Sequence, residues 1–215
     1  MMNVQKTRKN VVLVLTTLVL MFFMMPFFVL VINTFKTTPE FVRAPFALPK
    51  SLHLENFTIA INRMDFFNAL KNTATVTVLT VLVNTLVATM TGYLFARKRW
   101  KINKLIFGAF LVSMVAPFQV YMIPLVKIYG GTLGLSNNLS LVAFIAVGLN
   151  IPFAVFLYQG FVKGIPEELD EAARIDGCGF GATFFRIILP LLKPIMITVI
   201  VFVALGVWND YLMLS

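Results

Sequence analysis

The chain has one cysteine and one histidine among its 215 residues. Cys178 alone closes no intramolecular disulfide and no cysteine-rich metal site. His53 alone leaves no histidine pair for zinc. Charged residues make up 13% of the chain, and only nine of them are acidic; an ordinary soluble domain is about 25% charged. No Gly-x-x-x-x-Gly-Lys-Ser/Thr run is present, so no nucleotide is expected through a P-loop. Neither His-Glu-x-x-His nor a Ser/His/Asp set can be assembled. Gly177-Cys178-Gly179-Phe180-Gly181 is glycine-rich, but it follows an acidic helical stretch, whereas a dinucleotide fingerprint follows a strand. No catalytic residue, metal or cofactor is assigned.

What the chain does contain is apolar. Hydrophobic residues reach 59%, with 22 Phe and 11 Met. A soluble domain of this size could not hide that much apolar surface, because most of its residues touch water. A soluble enzyme, a nucleic-acid-binding domain and a disordered tail are poor readings. The net charge of +9 fits a membrane protein, in which Lys and Arg accumulate on the cytoplasmic side.

A helix needs about 20 mainly apolar residues to cross the hydrocarbon core. Five runs qualify, at about 11–32, 74–96, 105–128, 139–162 and 195–214. None alternates strictly as a barrel strand would. The fold class is therefore all-α, a polytopic membrane helix bundle forming a single domain over 1–215. The first run follows Lys6, Arg8 and Lys9, but it exceeds a signal-peptide core and no small-x-small cleavage site follows; it reads as a retained span. The N-terminus and the connections 97–104 and 163–194 together carry 12 Lys and Arg, while 33–73 and 129–138 carry five. The denser side is cytoplasmic. That places the N-terminus and 163–194 inside and the segment 33–73 outside.

The external segment 33–73 holds Pro39, Pro45 and Pro49. It reads as an extended stretch followed by a short helix around Phe57–Leu70, whose apolar side would be Phe57, Ile61, Met64, Phe66 and Phe67. Asn138-Leu139-Ser140 and Asn56-Phe57-Thr58 match the glycosylation pattern, which is common by chance. Asp210 is the one acid within the spans, and Lys127 closes the third. Ion-coupled carriers usually need intramembrane carboxylates or broken half-helices at matched positions. Neither pattern is evident, so the energy for pumping would come from elsewhere.

The connection 163–194 is organised. Pro166 suits a first helical position, and Glu167 and Glu168 suit the first turn, where they oppose the helix dipole. Asp170 and Arg174 stand four apart and can pair. Gly177 is a natural stop. The pattern predicts a helix over Pro166–Asp176 of about three turns. Ile165, Leu169, Ala172 and Ala173 would form a narrow apolar stripe opposite Glu167, Asp170, Glu171 and Arg174. A second short helix over Phe180–Leu189 follows, and Pro190 and Pro194 steer the chain back into the membrane.

Glu171-Ala172-Ala173, then Gly177, then Ile187-Ile188-Leu189-Pro190 resembles the EAA loop of bacterial ABC importer permeases, without gap or slip. Ile165-Pro166-Glu167-Glu168-Leu169, Arg174-Ile175-Asp176-Gly177 and Trp208-Asn209-Asp210-Tyr211 resemble the carbohydrate-uptake branch, and within it the shorter, maltose-type subunit. Ala116-Pro117-Phe118-Gln119, Ile123-Pro124-Leu125 and Leu133-Gly134-Leu135 also fit. The resemblance implies a second permease subunit, two ABC ATPase subunits beneath, and an extracytoplasmic solute-binding protein, in a bacterial inner membrane. It implies that Pro166, Glu167, Glu168, Leu169, Glu171, Ala172, Ala173, Arg174, Asp176, Gly177, Ile187, Leu189 and Pro190 form the ATPase-coupling loop. Hydrolysis would lie in the partner, so this chain would not be an enzyme.

Permeases of this branch usually have six spans, and five are present; the expectation is a chain lacking its last span. Asn84, Trp208, Asn209 and Asp210 are candidates for a polar translocation path, with interhelical hydrogen bonding and packing as the alternative. The solute would be a sugar or sugar-like compound; glycerol phosphate or another polyol-like solute is the alternative substrate. An ATP-independent carrier or channel is the alternative function.

Overall fold

The computed structural model describes residues 2–135 and 138–210. All regular structure among them is helical. The chain divides into two compact units, one up to Ala69 and one from Leu70 onward.

The first unit is dominated by α1, Met2–Thr34, which runs unbroken through Pro26. Its Arg8–Thr34 portion is long and apolar enough to cross a membrane. Two short helices follow, α2 (Thr38–Arg43) and α3 (Glu55–Arg63). Thr37 caps α2 by accepting from the Glu40 amide, and Pro39 occupies the first turn, where its missing N–H costs nothing. Lys36 organises the segment between α1 and α3. It is only 3% exposed. Its ammonium donates to Asn33 Oδ1 at 2.7 Å, Ala44 O at 2.9 Å and Pro45 O at 3.2 Å, which uses all three of its protons. Asn56 completes the fold-back by donating to the carbonyls of Thr34 and Lys36. The helix expected over 57–70 is two pieces. α3 ends at Arg63, and Asp65 takes a positive φ of 46°. Phe66–Leu70 belongs instead to the next long helix.

That helix is α4, Phe66–Arg97. After it come α5 (Lys101–Val115), α6 (Phe118–Leu125) with a wider π-type continuation over Val126–Thr132, and α7 (Leu139–Lys163). Asn138 caps α7, its Oδ1 accepting from the amides of Ser140 and Leu141. The asparagine of that glycosylation-like triplet thus has a structural role. The short α8 (Glu168–Ile175) leads to α9 (Phe180–Thr183), a π turn at Phe184–Ile188, α10 (Leu189–Leu191) and α11 (Lys193–Trp208). The fifth expected span runs to 214, and its last four residues lie outside the described ones.

The third expected span is not straight. Lys101–Val115 and Phe118–Thr132 meet at 97°. Pro removes a donor and pushes the residue before it out of the helical region. Ala116 and Pro117 are both extended, with ψ of 120° and 144°. A bent pair of this kind either crosses the membrane in two pieces or dips in and returns. The packing of α4 on α7 discriminates. Val76, early in α4, lines a cavity with Val142 and Ala146, early in α7. Gly92 lies against Tyr158 and Gln159, and Arg97 reaches Val162 and Ile165. α4 and α7 therefore run parallel, and the chain between them has to change sides. α11 runs antiparallel to both. Leu192 at its start packs with Tyr93 and Val162, and Val207 at its end lies near Val76. Val76, Ala88, Ala154, Val155, Tyr158, Val199 and Val203 fill the space between these three helices.

Candidate functional site

α8 sits where the parallel α4 and α7 end. Its sequence folds locally for legible reasons. Glu168, Asp170 and Glu171 occupy the first turn, where negative charge opposes the dipole. Gly177 has φ +81°, a conformation that penalises any Cβ. The Gly177 amide donates to Arg174 O at 3.0 Å and the Cys178 amide to Ala173 O at 2.8 Å, the paired bonds of a Schellman stop. The helix is two turns rather than the three expected. Glu167 is its N-cap residue and Pro166 precedes it, so Pro166 does not occupy the first helical position.

The main correction concerns Asp170. The expected pairing with Arg174 does not form. Asp170 is 1% exposed and turns inward, accepting from Arg97 Nε at 2.9 Å and from the Tyr93 hydroxyl. Arg174 stays exposed. The remaining donors of Arg97 close the gap to α7, with Nη1 to Val162 O at 3.2 Å and Nη2 to Ile165 O at 2.9 Å. A guanidinium suits this task because its planar fork presents five donors at fixed angles. It also places positive charge where the last α7 carbonyls concentrate negative potential. Tyr93 stacks on Phe180 at 4.6 Å between ring centroids and tilts against Phe184 at 5.4 Å. Around it, Val162, Ile165, Phe184, Ile188 and Leu192 are buried together, with Ile187 and Leu189 packed at the edge.

The expected apolar stripe is thereby split. Ile165 and Ala173 face inward alongside Asp170, while Leu169 and Ala172 face outward with Glu168 and Glu171. Ile175, which the stripe did not include, is 86% exposed. Glu167, Asp176 and Pro190 are also exposed. α8 is thus held rigidly on one side and presents Leu169, Glu171, Ala172 and Ile175 on the other.

The four residues suggested for a polar path are not brought together. Asp210 lines a cavity of about 210 Å³ with Tyr121 and Asn150. Trp208 and Asn209 are exposed, and the Asn209 amide donates back to Leu205 O. Asn84 is 1% exposed and lacks a hydrogen-bond partner among the described residues. It lies two turns along α4 from the cavity residue Val76, about 12 Å. Sequence reasoning missed Tyr93, Arg97, Tyr121 and Asn150 as site residues and gave Asp170 a different partner. The first two carried a signal: a tyrosine and an arginine four apart share one face at the end of a span.

Three packed apolar helices, α4, α7 and α11, locked at one end to a short helix whose other face is exposed, define a polytopic membrane protein of the all-helical kind. The chain belongs to the family of binding-protein-dependent transport system inner membrane components, whose family model matches residues 88–215. It is 40% identical over 190 residues to a probable starch degradation products transport system permease protein, AmyC, of Thermoanaerobacterium thermosulfurigenes, covering 88% of this chain and 69% of that one. It is 34% identical over 187 residues to the melibiose/raffinose/stachyose import permease protein MelC of Bacillus subtilis, covering 86% and 67%. A solved bacterial ABC transporter that imports the acidic polysaccharide alginate shares the fold, with a TM-score of 0.76 at 20% identity over 95% of this chain and 72% of that one.

Proposed function

We propose that this chain is the permease subunit through which a sugar or oligosaccharide enters a bacterial cell, delivered by an extracytoplasmic binding protein and driven by ABC ATPase subunits that dock on α8. The observation that carries the reading is the anchor of α8. A helix clamped to two spans through Arg97, Tyr93 and Asp170 can pass a push on its free face to those spans, whereas a tethered loop would absorb it. The substrate class is supported by the starch, melibiose and arabinooligosaccharide permeases to which the chain is similar. On this reading hydrolysis occurs in the ATPase subunits, a second permease subunit completes the channel, and the 97–104 and 163–194 connections face the cytoplasm with the N-terminus.

The test uses the assembled transporter in proteoliposomes. Ile175→Glu places a charge on an exposed apolar position of α8 without touching the anchor. It should lower ATPase retention and oligosaccharide uptake by at least about tenfold, the scale of a central interface residue, with thermal stability unchanged. Full retention and full uptake would remove α8 from the mechanism.

A further inference from the structure

Beside the α8 anchor, a cavity of about 610 Å³ opens in the second unit. Arg97, Lys98, Arg99, Lys104 and Lys163 line it, and Glu167 is the one acid in the lining. Arg97 is committed to Asp170. Arg99 comes within 4.0 Å of Glu167, with both side chains largely in solvent, a contact of little energetic weight. Lys98, Lys104 and Lys163 have no carboxylate in ion-pair range among the described residues. Lys98 rests 5.2 Å from the centre of the Phe180 ring. Gln159 also lines the cavity, is 8% exposed, and has no hydrogen-bond partner among the described residues. Its side-chain amide is therefore available to a ligand in the cavity. The inner wall is apolar, formed by Ala96 with Phe95 and Phe107, whose rings meet edge to face at 6.1 Å.

We propose that this cavity binds the phosphate headgroup of an anionic membrane phospholipid. Unpaired lysines and a free amide match phosphate oxygens. The phenylalanine wall continues into the spans, where the first carbons of acyl chains lie. Basic pockets between membrane helices hold such headgroups for this reason. A free phosphate or an acidic peptide would use the lysines but leave the aromatic wall wet, whereas a phospholipid uses both. The site needs only that α4 and α7 span a bilayer, and so stands apart from the ATPase reading.

The experiment reconstitutes the full chain in bilayers of equal phosphatidylcholine and phosphatidylglycerol, extracts it in detergent, and counts retained lipid by native mass spectrometry. Phosphatidylglycerol should be retained in preference. The triple variant Lys98→Gln, Lys104→Gln, Lys163→Gln should lose at least about tenfold of that preference, since each lysine at an anionic surface is worth roughly a fivefold factor. Lys104→Glu, at an exposed position, is the second variant and should weaken retention with folding untouched. Millimolar inorganic phosphate should not displace the lipid. Equal retention of both lipids, or unchanged preference in both variants, overturns the site. Displacement by inorganic phosphate makes it an anion site rather than a lipid site, and displacement by added ATPase subunit makes it part of a protein interface. Lipid preference without ATPase retention would sink the transport reading and leave this one standing.

Discussion

Asp170 and Arg97 are 73 residues apart, and their side chains are 2% and 4% exposed. A charge pair this buried is held by geometry, because desolvation offsets most of the Coulomb gain. Here the geometry is nearly complete. Arg97 satisfies the carboxylate and two backbone carbonyls, and Tyr93 adds a second donor to Asp170. Removing one partner leaves the other buried and unpaired. Asp170→Asn should therefore destabilise the folded chain by about 3–5 kcal/mol, read from unfolding in detergent. Arg97→Lys should also lose stability, since one ammonium cannot span Asp170, Val162 and Ile165 in a planar fork. The double change Arg97→Met, Asp170→Leu should cost less than the sum of the single removals. Additive costs would show that the two residues do not act together.

At the scale of elements, α4 and α7 approach closely because of one glycine. A Cβ built on Gly92 would lie 2.7 Å from Tyr158 Cβ and 3.0 Å from the Gln159 amide nitrogen. Neither atom is the end of a flexible side chain, so the helices themselves would have to separate. Small residues allow such contacts in membranes, where close packing rather than water exclusion joins helices. Gly92→Ala should cost about 1–3 kcal/mol, as overpacking does, and should lower the thermal midpoint in detergent. Gly108→Ala serves as the control, because nothing lies within 4 Å of its added Cβ. Equal effects at both positions would mean that helix contact at Gly92 is not what the substitution disturbs.

At the scale of the whole molecule, the parallel run of α4 and α7 makes a topological prediction. The bent pair of α5 and α6 with its continuation must carry the chain across the bilayer. In a Cys178→Ser background, Leu133→Cys beyond that pair should react with a membrane-impermeant thiol reagent in intact cells. Arg99→Cys, and Cys178 in the original chain, should react only after the membrane is opened. These two stand on the same side because Arg97 bonds to Ile165 and Asp170. If Leu133→Cys were protected together with Arg99→Cys, the bent pair would dip into the membrane and return.

The sequence by itself determined the helical membrane class, four of the apolar runs as helices, and the two-helix loop with its glycine stop. These features are local or compositional. An apolar run of span length has few other places to go, and a left-handed residue is favoured wherever Gly follows a helix. Composition alone could not reveal that the run at 105–128 breaks by 97°, although Pro117 marked the place. Tertiary structure decided the partner of Asp170. On the helix surface Arg174 is the obvious neighbour, but an exposed pair four residues apart is worth only about 0.3–0.5 kcal/mol. Arg97 becomes available only when α4 and α7 end at the same level, and in that dry junction its unpaired charge would be too costly to leave. The same packing turned Asp170 and Ala173 inward and left Leu169, Ala172 and Ile175 free, a division that helical spacing could not make because it depends on which side the spans occupy.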